Sequence, residues 1–423
     1  MKITVVGGGS TYTPELIYEI VNKNDELDID ELYLTDINEK RLNTIYNYGQ
    51  RIIKKSGNDL NLMKTTERKK ALKEADFVLL QIRVGGQEGR HNDIKLSLKY
   101  GMVGQETTGP GGFSKAMRTI PEVLKIAEDI KRYAKPNCFV LNFTNPSSII
   151  TQALSDHTDL EVIGLCNIPI ILVNQSAKIL NKEIEELSYD YVGLNHLGWL
   201  RHVYEQGEDK ISELVEALIE DSEVYRAENI PAAEIDLIRS LNMIPSPYLQ
   251  YFYFTEEIIE KLRTQELTRA EEVIEIDKEL MKLFKTESGE SLPEKLTERG
   301  GELYSRAAVN TMNYIINNKK KLAIVNIKNK GTIDSLEDDD IIEVPALIDQ
   351  KGAHPINIKK VEPHLLGLIQ IVKAYERLTV KAAVNKDYNQ ALWALNTNPL
   401  VKDLVNANNV LNDINNTFAL KLK

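Results

Sequence analysis

The chain has 423 residues, 42% of them hydrophobic and 27% charged, with a formal net charge of −11 and a pI near 5.3. That supports large cores and two or three domains. An acidic chain repels nucleic acid and anionic membrane surfaces, and no run approaches the roughly 18 apolar residues of a membrane span, so neither partner is expected. The opening residues lack a signal peptide's apolar core and cleavage site, and the two cysteines, Cys138 and Cys166, are too few for a secreted disulfide scaffold. A reducing cytoplasm is the expected compartment.

The first 170 residues alternate strand and helix signals. KITVVG is a short apolar strand, and PELIYEIVNKN an amphipathic helix with Pro14 in its first turn. ELYLTDI is a second strand, followed by a helix that Gly57 closes. DFVLLQIRVGG, CFVLNFTNPSS and EVIGLCNIP give three more strands, with SSIITQALSDH helical between the last two. This order predicts a Rossmann-type doubly wound parallel sheet. Each strand ends in glycine or polar residues, and in open α/β sheets ligands gather at those ends.

Beyond residue 170 the pattern changes. LSYDYVGLNHLGWLRHVYEQG reads as antiparallel strands joined by a turn. DKISELVEALIED, FTEEIIEKLRTQELTRAEEVIEIDKELMKLF and LYSRAAVNTMNYIINN read as helices, and KKLAIVNIKNKGTIDSLEDDDIIEVPALI as strand, turn and strand. HLLGLIQIVKAYERLTVKAAV and NQALWALNTNPLV are late helices, while Lys285 to Gly301 has turn chemistry and reads as a loop. The expected division is 1–170, a nucleotide-binding unit, and 171–423, a mixed α+β unit for substrate and oligomer contacts.

The turn after the first strand is GGGSTYT. Gly7, Gly8 and Gly9 let the backbone approach a pyrophosphate at a helix N-terminus. The third glycine of the usual fingerprint is absent and Tyr12 stands there, which leaves Ser10 and Thr11 as candidate hydroxyl donors to phosphate. The plainer reading of those hydroxyls is helix capping. Asp36 closes the second strand, where a carboxylate takes the adenosine ribose hydroxyls, so NAD is favoured over NADP; its plainer reading is a helix cap.

Cys166 lies at a strand end and His196 between two nearby glycines, 30 residues later. Singly, a free cysteine is usually a buried hydrophobe and a histidine a satisfied core group. As a pair on neighbouring strand ends they form a candidate open divalent-metal site. Cys138, inside an apolar run, reads as core, and His202 would share the face of His196 only on an unbroken strand.

VVGGGSTYTPEL, GQETTGPGG, NFTNPSS, GLCNIP, GLNHLGW, IPSPYLQYFY, RGGELYSRAA and EVPALI together resemble glycoside hydrolase family 4. Asn167 after Cys166, together with IPSPYLQYFY, is similar to the family's 6-phospho-β-glucosidase branch. The resemblance implies hydrolysis that needs NAD and a divalent metal, usually Mn²⁺, outside the two-carboxylate scheme of other glycosidases. The implied cycle oxidises C3 of the sugar, removes the C2 proton, eliminates the leaving group from C1, adds water and returns the hydride. The resemblance assigns the metal to Cys166 and His196, and the C2 base to Tyr248, with Tyr251 as rival; an aromatic packing role is the plainer reading. Glu106 matches a carboxylate that assists the tyrosine. Arg90, Asn145 and Asn167 match substrate-binding positions; Arg269 fits a phosphate position or, equally, an exposed helix charge paired with Glu266 or Glu272. Arg83, at a strand end, also has a place near the site. The implied substrate is a phosphorylated disaccharide of the cellobiose 6-phosphate type, and the implied assembly a homodimer or homotetramer.

Three alternatives stand beside this reading. One is another specificity within the family, such as a 6-phospho-α-glucosidase. The second is an NAD-dependent 2-hydroxyacid dehydrogenase of the lactate/malate type, whose fold is similar but whose chemistry needs a histidine backed by an aspartate. The third is a nucleotide-binding sensor without turnover.

Overall fold

The computed structural model describes residues 1–220, 232–301, 303–358 and 360–423, so Asp221, the last residue of one expected helix, lies outside it. Strands β1 (Lys2–Val6), β2 (Glu31–Thr35), β3 (Asn61–Thr65), β4 (Phe77–Leu80), β5 (Phe139–Asn142) and β6 (Glu161–Gly164) run parallel in the order β3-β2-β1-β4-β5-β6. This is the doubly wound order, with its switch point between β1 and β4. Ile3, Val5, Val78 and Leu79 are fully or almost fully buried, because helices cover both faces of a parallel sheet.

The register explains why the strand ends meet. Val6 pairs with Thr35 on one side and Leu80 on the other, Leu80 with Asn142, and Asn142 with Gly164. Gly7, Asp36, Gln81, Phe143 and Leu165 therefore leave the sheet at one level. Helix 39–56 is capped by Asn38, whose Oδ1 accepts from the Arg41 amide at 3.1 Å, and it ends at Gly57 with φ 73°.

The second half contributes to both sheets. β11 (Lys321–Lys328), β12 (Ile341–Asp349) and β13 (Gly352–Pro355) extend the first sheet antiparallel, β11 joining β6 through Asn326 and Gly164. The sheet thus crosses the boundary at residue 170. A separate sheet contains β7 (Leu187–Leu194), β8 (Leu197–Glu205), β9 (Glu208–Asp209) and β10 (Ile244–Pro245). Its hairpin is fastened to β12 by the Tyr191 hydroxyl, which donates to Glu343 at 2.9 Å.

Several elements differ from the sequence reading. Edge strand β3 has weak apolar alternation, and helices 86–99 and 109–133 open on glycine and proline, which look like loop. The long helical run after Phe254 breaks at residues 265–268, where Thr268 and Glu271 form a capping box that starts Arg269–Thr286. The stretch read as loop contains a 3₁₀ turn, Glu294–Arg299. Among the described residues no helix is long and apolar enough to cross a membrane.

Candidate active site

A cavity of about 2110 Å³ opens at the switch point, well beyond the roughly 300–1,000 Å³ of a pocket for one drug-sized ligand. The glycine turn forms one end. Gly7 has φ +93°, and a Cβ there would sit 2.7 Å from the Gln81 carbonyl oxygen; a Cβ at Gly9 would sit 2.8 Å from Asp36 Oδ2. The Gln81 backbone and the Asp36 carboxylate take the space side chains would need, so the turn requires glycine, which also lets a diphosphate approach closely. The Asp36 carboxylate lines the cavity and accepts from the amides of Gly9 at 2.9 Å and Asn38 at 2.8 Å. The cap of the following helix is Asn38, not Asp36. Ser10 faces the cavity. Thr11 does not: it is fully buried and its hydroxyl donates to Asp277 at 3.1 Å, a correction to the expected phosphate contact. These glycines and the strand-end carboxylate suit a dinucleotide.

One wall is charged. Glu106 receives Arg83, Lys115 at 2.8 Å and Arg90 at 3.3 Å. Burial works to raise its carboxyl pKa, but the cations outweigh it and hold the group well below the usual range. Glu106 is therefore ionised at neutral pH. Burial lowers Lys115 to about 7, helped by Arg83 and Arg90 and opposed by Glu106. The preceding glycine-rich stretch positions this wall. Cβ atoms at Gly111 and Gly112 would strike the backbone of Gln105 and Thr107 at 2.1 and 2.5 Å. Only glycine lets the 105–107 loop fold onto the start of helix 109–133, and Gln105 Oε1 accepts from the amides of Thr107 and Thr108 there.

His196 occupies the β7–β8 turn at φ +65°, between the paired Leu194 and Leu197. Its Nδ1 bonds the Thr107 hydroxyl at 2.9 Å, which orients the ring and leaves Nε2 for a cation. Burial drops its pKa to about 3, with Lys115 adding to the effect and Glu106 opposing it, so the imidazole is neutral. Cys166 follows β6 and is buried; burial and then Glu343 push its thiol up, against the amides of Ile168 and Asn167 and the Asn195 side chain. Cys166 thus touches Asn195, the sequence neighbour of His196.

Tyr248 lies flat on His196, ring centroids 3.8 Å apart and planes 3° from parallel. Strand β10 places it there: Ile244 and Pro245 pair with Leu200 and Trp199, and the Ser246 amide donates to the Gly198 carbonyl at 2.8 Å. Burial, then Tyr251, Cys166 and Glu106, raise the Tyr248 phenol well above its ordinary value, while Arg90 pulls it down. Tyr251 is 6.0 Å away, centroid to centroid, and packs against the Val103, Ile259 and Leu400 cluster.

Asn145 and Asn167 both line the cavity. Asn145 Nδ2 donates to the Tyr304 hydroxyl at 3.4 Å, and Asn167 immediately precedes helix 168–179 without a side-chain capping bond. Arg269 also lines it, but its guanidinium donates to Glu272 at 3.0 Å and to the Glu298 carbonyl at 2.9 Å. His202 is remote in role: it pairs with Asp209 at 2.7 Å beyond a bulge at Asp190/Tyr191. Sequence reasoning missed Thr107, Lys115, Arg299 and Tyr304. Arg299 had a signal, a cation directly before paired glycines in RGGELYS.

A thiol and an oriented neutral imidazole give two donors and suit a metal that keeps open positions. Among the described residues no third His, Cys, Asp or Glu completes a closed set.

A 3-2-1-4-5-6 sheet with a glycine turn and strand-end carboxylate at its switch point defines a dinucleotide-binding α/β protein. Malate dehydrogenase from Plasmodium falciparum in complex with NADH shares that fold, at a TM-score of 0.55 and 15% identity over 91% of this chain and 99% of that one. The chain belongs to family 4 of the glycosyl hydrolases: the family model matches residues 2–182 and the model of its C-terminal domain residues 191–401. It is 39% identical to a probable 6-phospho-β-glucosidase of Bacillus subtilis, over 98% of this chain and 95% of the relative. The 6-phospho-β-glucosidase of Thermotoga maritima, solved with manganese, NAD⁺ and glucose 6-phosphate, superposes at a TM-score of 0.92 with 34% identity, over 100% of this chain and 99% of that one.

Proposed function

We infer that the chain is a 6-phospho-β-glucosidase that works with NAD and a divalent metal, Mn²⁺ in the first instance. The observation that carries this is the stacking of Tyr248, which lines a cavity that begins at a dinucleotide turn, on a neutral His196 oriented by Thr107. When bound, NAD supplies reversible hydride acceptance at sugar C3, and a divalent cation held by Cys166 and His196 supplies positive charge for oxygens that become negative.

The chain's own residues do the rest. Tyr248, as phenolate, removes the C2 proton; burial and Glu106 oppose that form, so it depends on the positive charge that a cation held by Cys166 and His196 would supply, while Glu106 fixes Arg83, Arg90 and Lys115. Glu106 itself is no proton acceptor at neutral pH, because three cations hold it ionised. Arg90 is a substrate contact suited to the phosphate, and Asn145 and Asn167 orient sugar hydroxyls. Asp36 takes the adenosine ribose, and Gly7, Gly8, Gly9 and Ser10 face the pyrophosphate. Arg269 is a further phosphate contact on the rim. A phosphorylated disaccharide as natural substrate, a homodimer or homotetramer and a cytoplasmic setting belong to the same proposal, supported by family resemblance. A 2-hydroxyacid dehydrogenase fits less well, since the partner of His196 Nδ1 is the Thr107 hydroxyl and not a carboxylate.

A chromogenic β-glucoside 6-phosphate tests the reading. Hydrolysis that requires both NAD and Mn²⁺, without NADH accumulating, is expected. Hydrolysis indifferent to NAD, or steady NADH production from hydroxyacids, would contradict it.

A further inference from the structure

Arg299 ends the 3₁₀ turn Glu294–Arg299 and lines the cavity. It is only 9% exposed, yet Nε and Nη1 are buried without a hydrogen-bond acceptor. Among the described residues no carboxylate pairs with it. The nearest anion in its field, Asp277, is already committed to Arg41, at 2.6 and 3.0 Å, and to Thr11. Buried charges in proteins are ordinarily paired or ligated, so this one lacks its partner.

The surroundings hold the guanidinium in place. It lies 3.5 Å from the centroid of the Tyr12 ring, a cation–π contact. Gly301, at φ +84°, passes so close that a Cβ would strike the Tyr12 ring at 2.7 Å. On the other side the Tyr12 ring meets Tyr304, whose hydroxyl accepts from Asn145. Tyr12 occupies the position where the usual dinucleotide fingerprint has its third glycine. That departure is explained if the ring is a platform for Arg299.

We propose that Arg299, seated on Tyr12, is a phosphate anchor of the active site and that its free edge takes the 6-phosphate of the sugar. A planar guanidinium with two unpaired N–H groups matches a phosphate dianion, which would supply the acceptors those buried groups lack. Arg90, whose Nε is likewise buried without an acceptor, differs in having a carboxylate partner, Glu106 at 3.3 Å. The cofactor's pyrophosphate offers the same chemistry, and the amides of Gly7, Gly8 and Gly9 are already bonded to Thr35 and Asp36, so the NAD arm of the test below separates the two sources. The inference deepens the proposed function and rests on its phosphorylated substrate.

Binding, not turnover, gives the test. Titration calorimetry of the holoenzyme with glucose 6-phosphate, glucose and NAD compares wild type with R299Q, R299K and Y12L. R299Q should weaken glucose 6-phosphate by roughly 10- to 100-fold, leaving NAD and glucose unchanged. R299K, which keeps charge and loses the fork, should fall between, and Y12L should follow R299Q more weakly. Loss confined to NAD would move the guanidinium to the pyrophosphate and overturn the assignment. Unchanged glucose 6-phosphate affinity in folded R299Q or R299K would also overturn it. A wild type that binds glucose and glucose 6-phosphate alike would instead sink the phosphorylated-substrate reading, and this inference with it.

Discussion

Glu106 and Glu343 are both buried carboxylates, 9% and 1% exposed, yet they ionise in opposite ways. Burial pushes both pKa values up. At Glu106 three cations reverse that push. At Glu343 the partners are neutral donors, Tyr191 at 2.9 Å, Asn195 at 3.1 Å and Asn326 at 2.8 Å, and burial wins, raising the group to about 7. The count of full charges in contact, more than the depth of burial, sets the state of each carboxylate. Glu106 and Cys166 both raise the phenol of Tyr248.

The largest effect is expected at Tyr248. Y248F should lower kcat by about 10²- to 10⁴-fold while calorimetric NAD affinity stays at the wild-type value; a fully active variant would transfer the base role to Tyr251. E106Q strips the charged wall of its one anion and should destabilise the fold by about 3–5 kcal/mol, read by urea unfolding. The sign with pH follows from the lowered carboxyl: its contribution is present above the unfolded value near 4.5 and is lost as pH falls through the folded one. The gap between wild type and E106Q should therefore shrink in acid.

Glu343 should show the reverse slope. Its folded pKa is raised, so the folded state binds the extra proton between about pH 4.5 and 7, and stability declines as pH rises through that window. E343Q should erase that decline, which is worth roughly 3 kcal/mol. Parallel pH profiles in the two variants would refute the contrast. T107V removes the hydroxyl that holds His196 Nδ1 and should weaken Mn²⁺ binding by about 10- to 100-fold, measured by electron paramagnetic resonance. H202A, at an exposed ion pair away from the cavity, should stay within about 0.5 kcal/mol of wild type.

The sequence made the backbone-built part of the site legible, because its parts are contiguous. GGG follows β1 directly, Asp36 follows β2, and the flush register brings them together. Cys166 and His196 were visible for a related reason, since one ends a strand and the other sits in a hairpin turn flanked by glycines. The side-chain-built part was not legible. Thr107 and His196 are 89 positions apart, and Arg41 and Asp277 are 236 apart, so no local pattern announces either contact. Lys115 reads as an ordinary helix charge until Glu106 is folded back onto it. Helices 86–99 and 109–133 were hidden by the glycines that let their first turns pack against backbone. Residues 285–301 look like loop because glycine and polar residues dominate, although Arg299 there is buried.

The most direct measurement is turnover in D₂O, with NAD and Mn²⁺ present and the product glucose 6-phosphate followed by NMR. Removal and return of a proton by Tyr248 predicts deuterium at C2 of the product, absent from substrate recovered after incubation with the Y248F variant. Product released with protium intact at C2 would contradict the account.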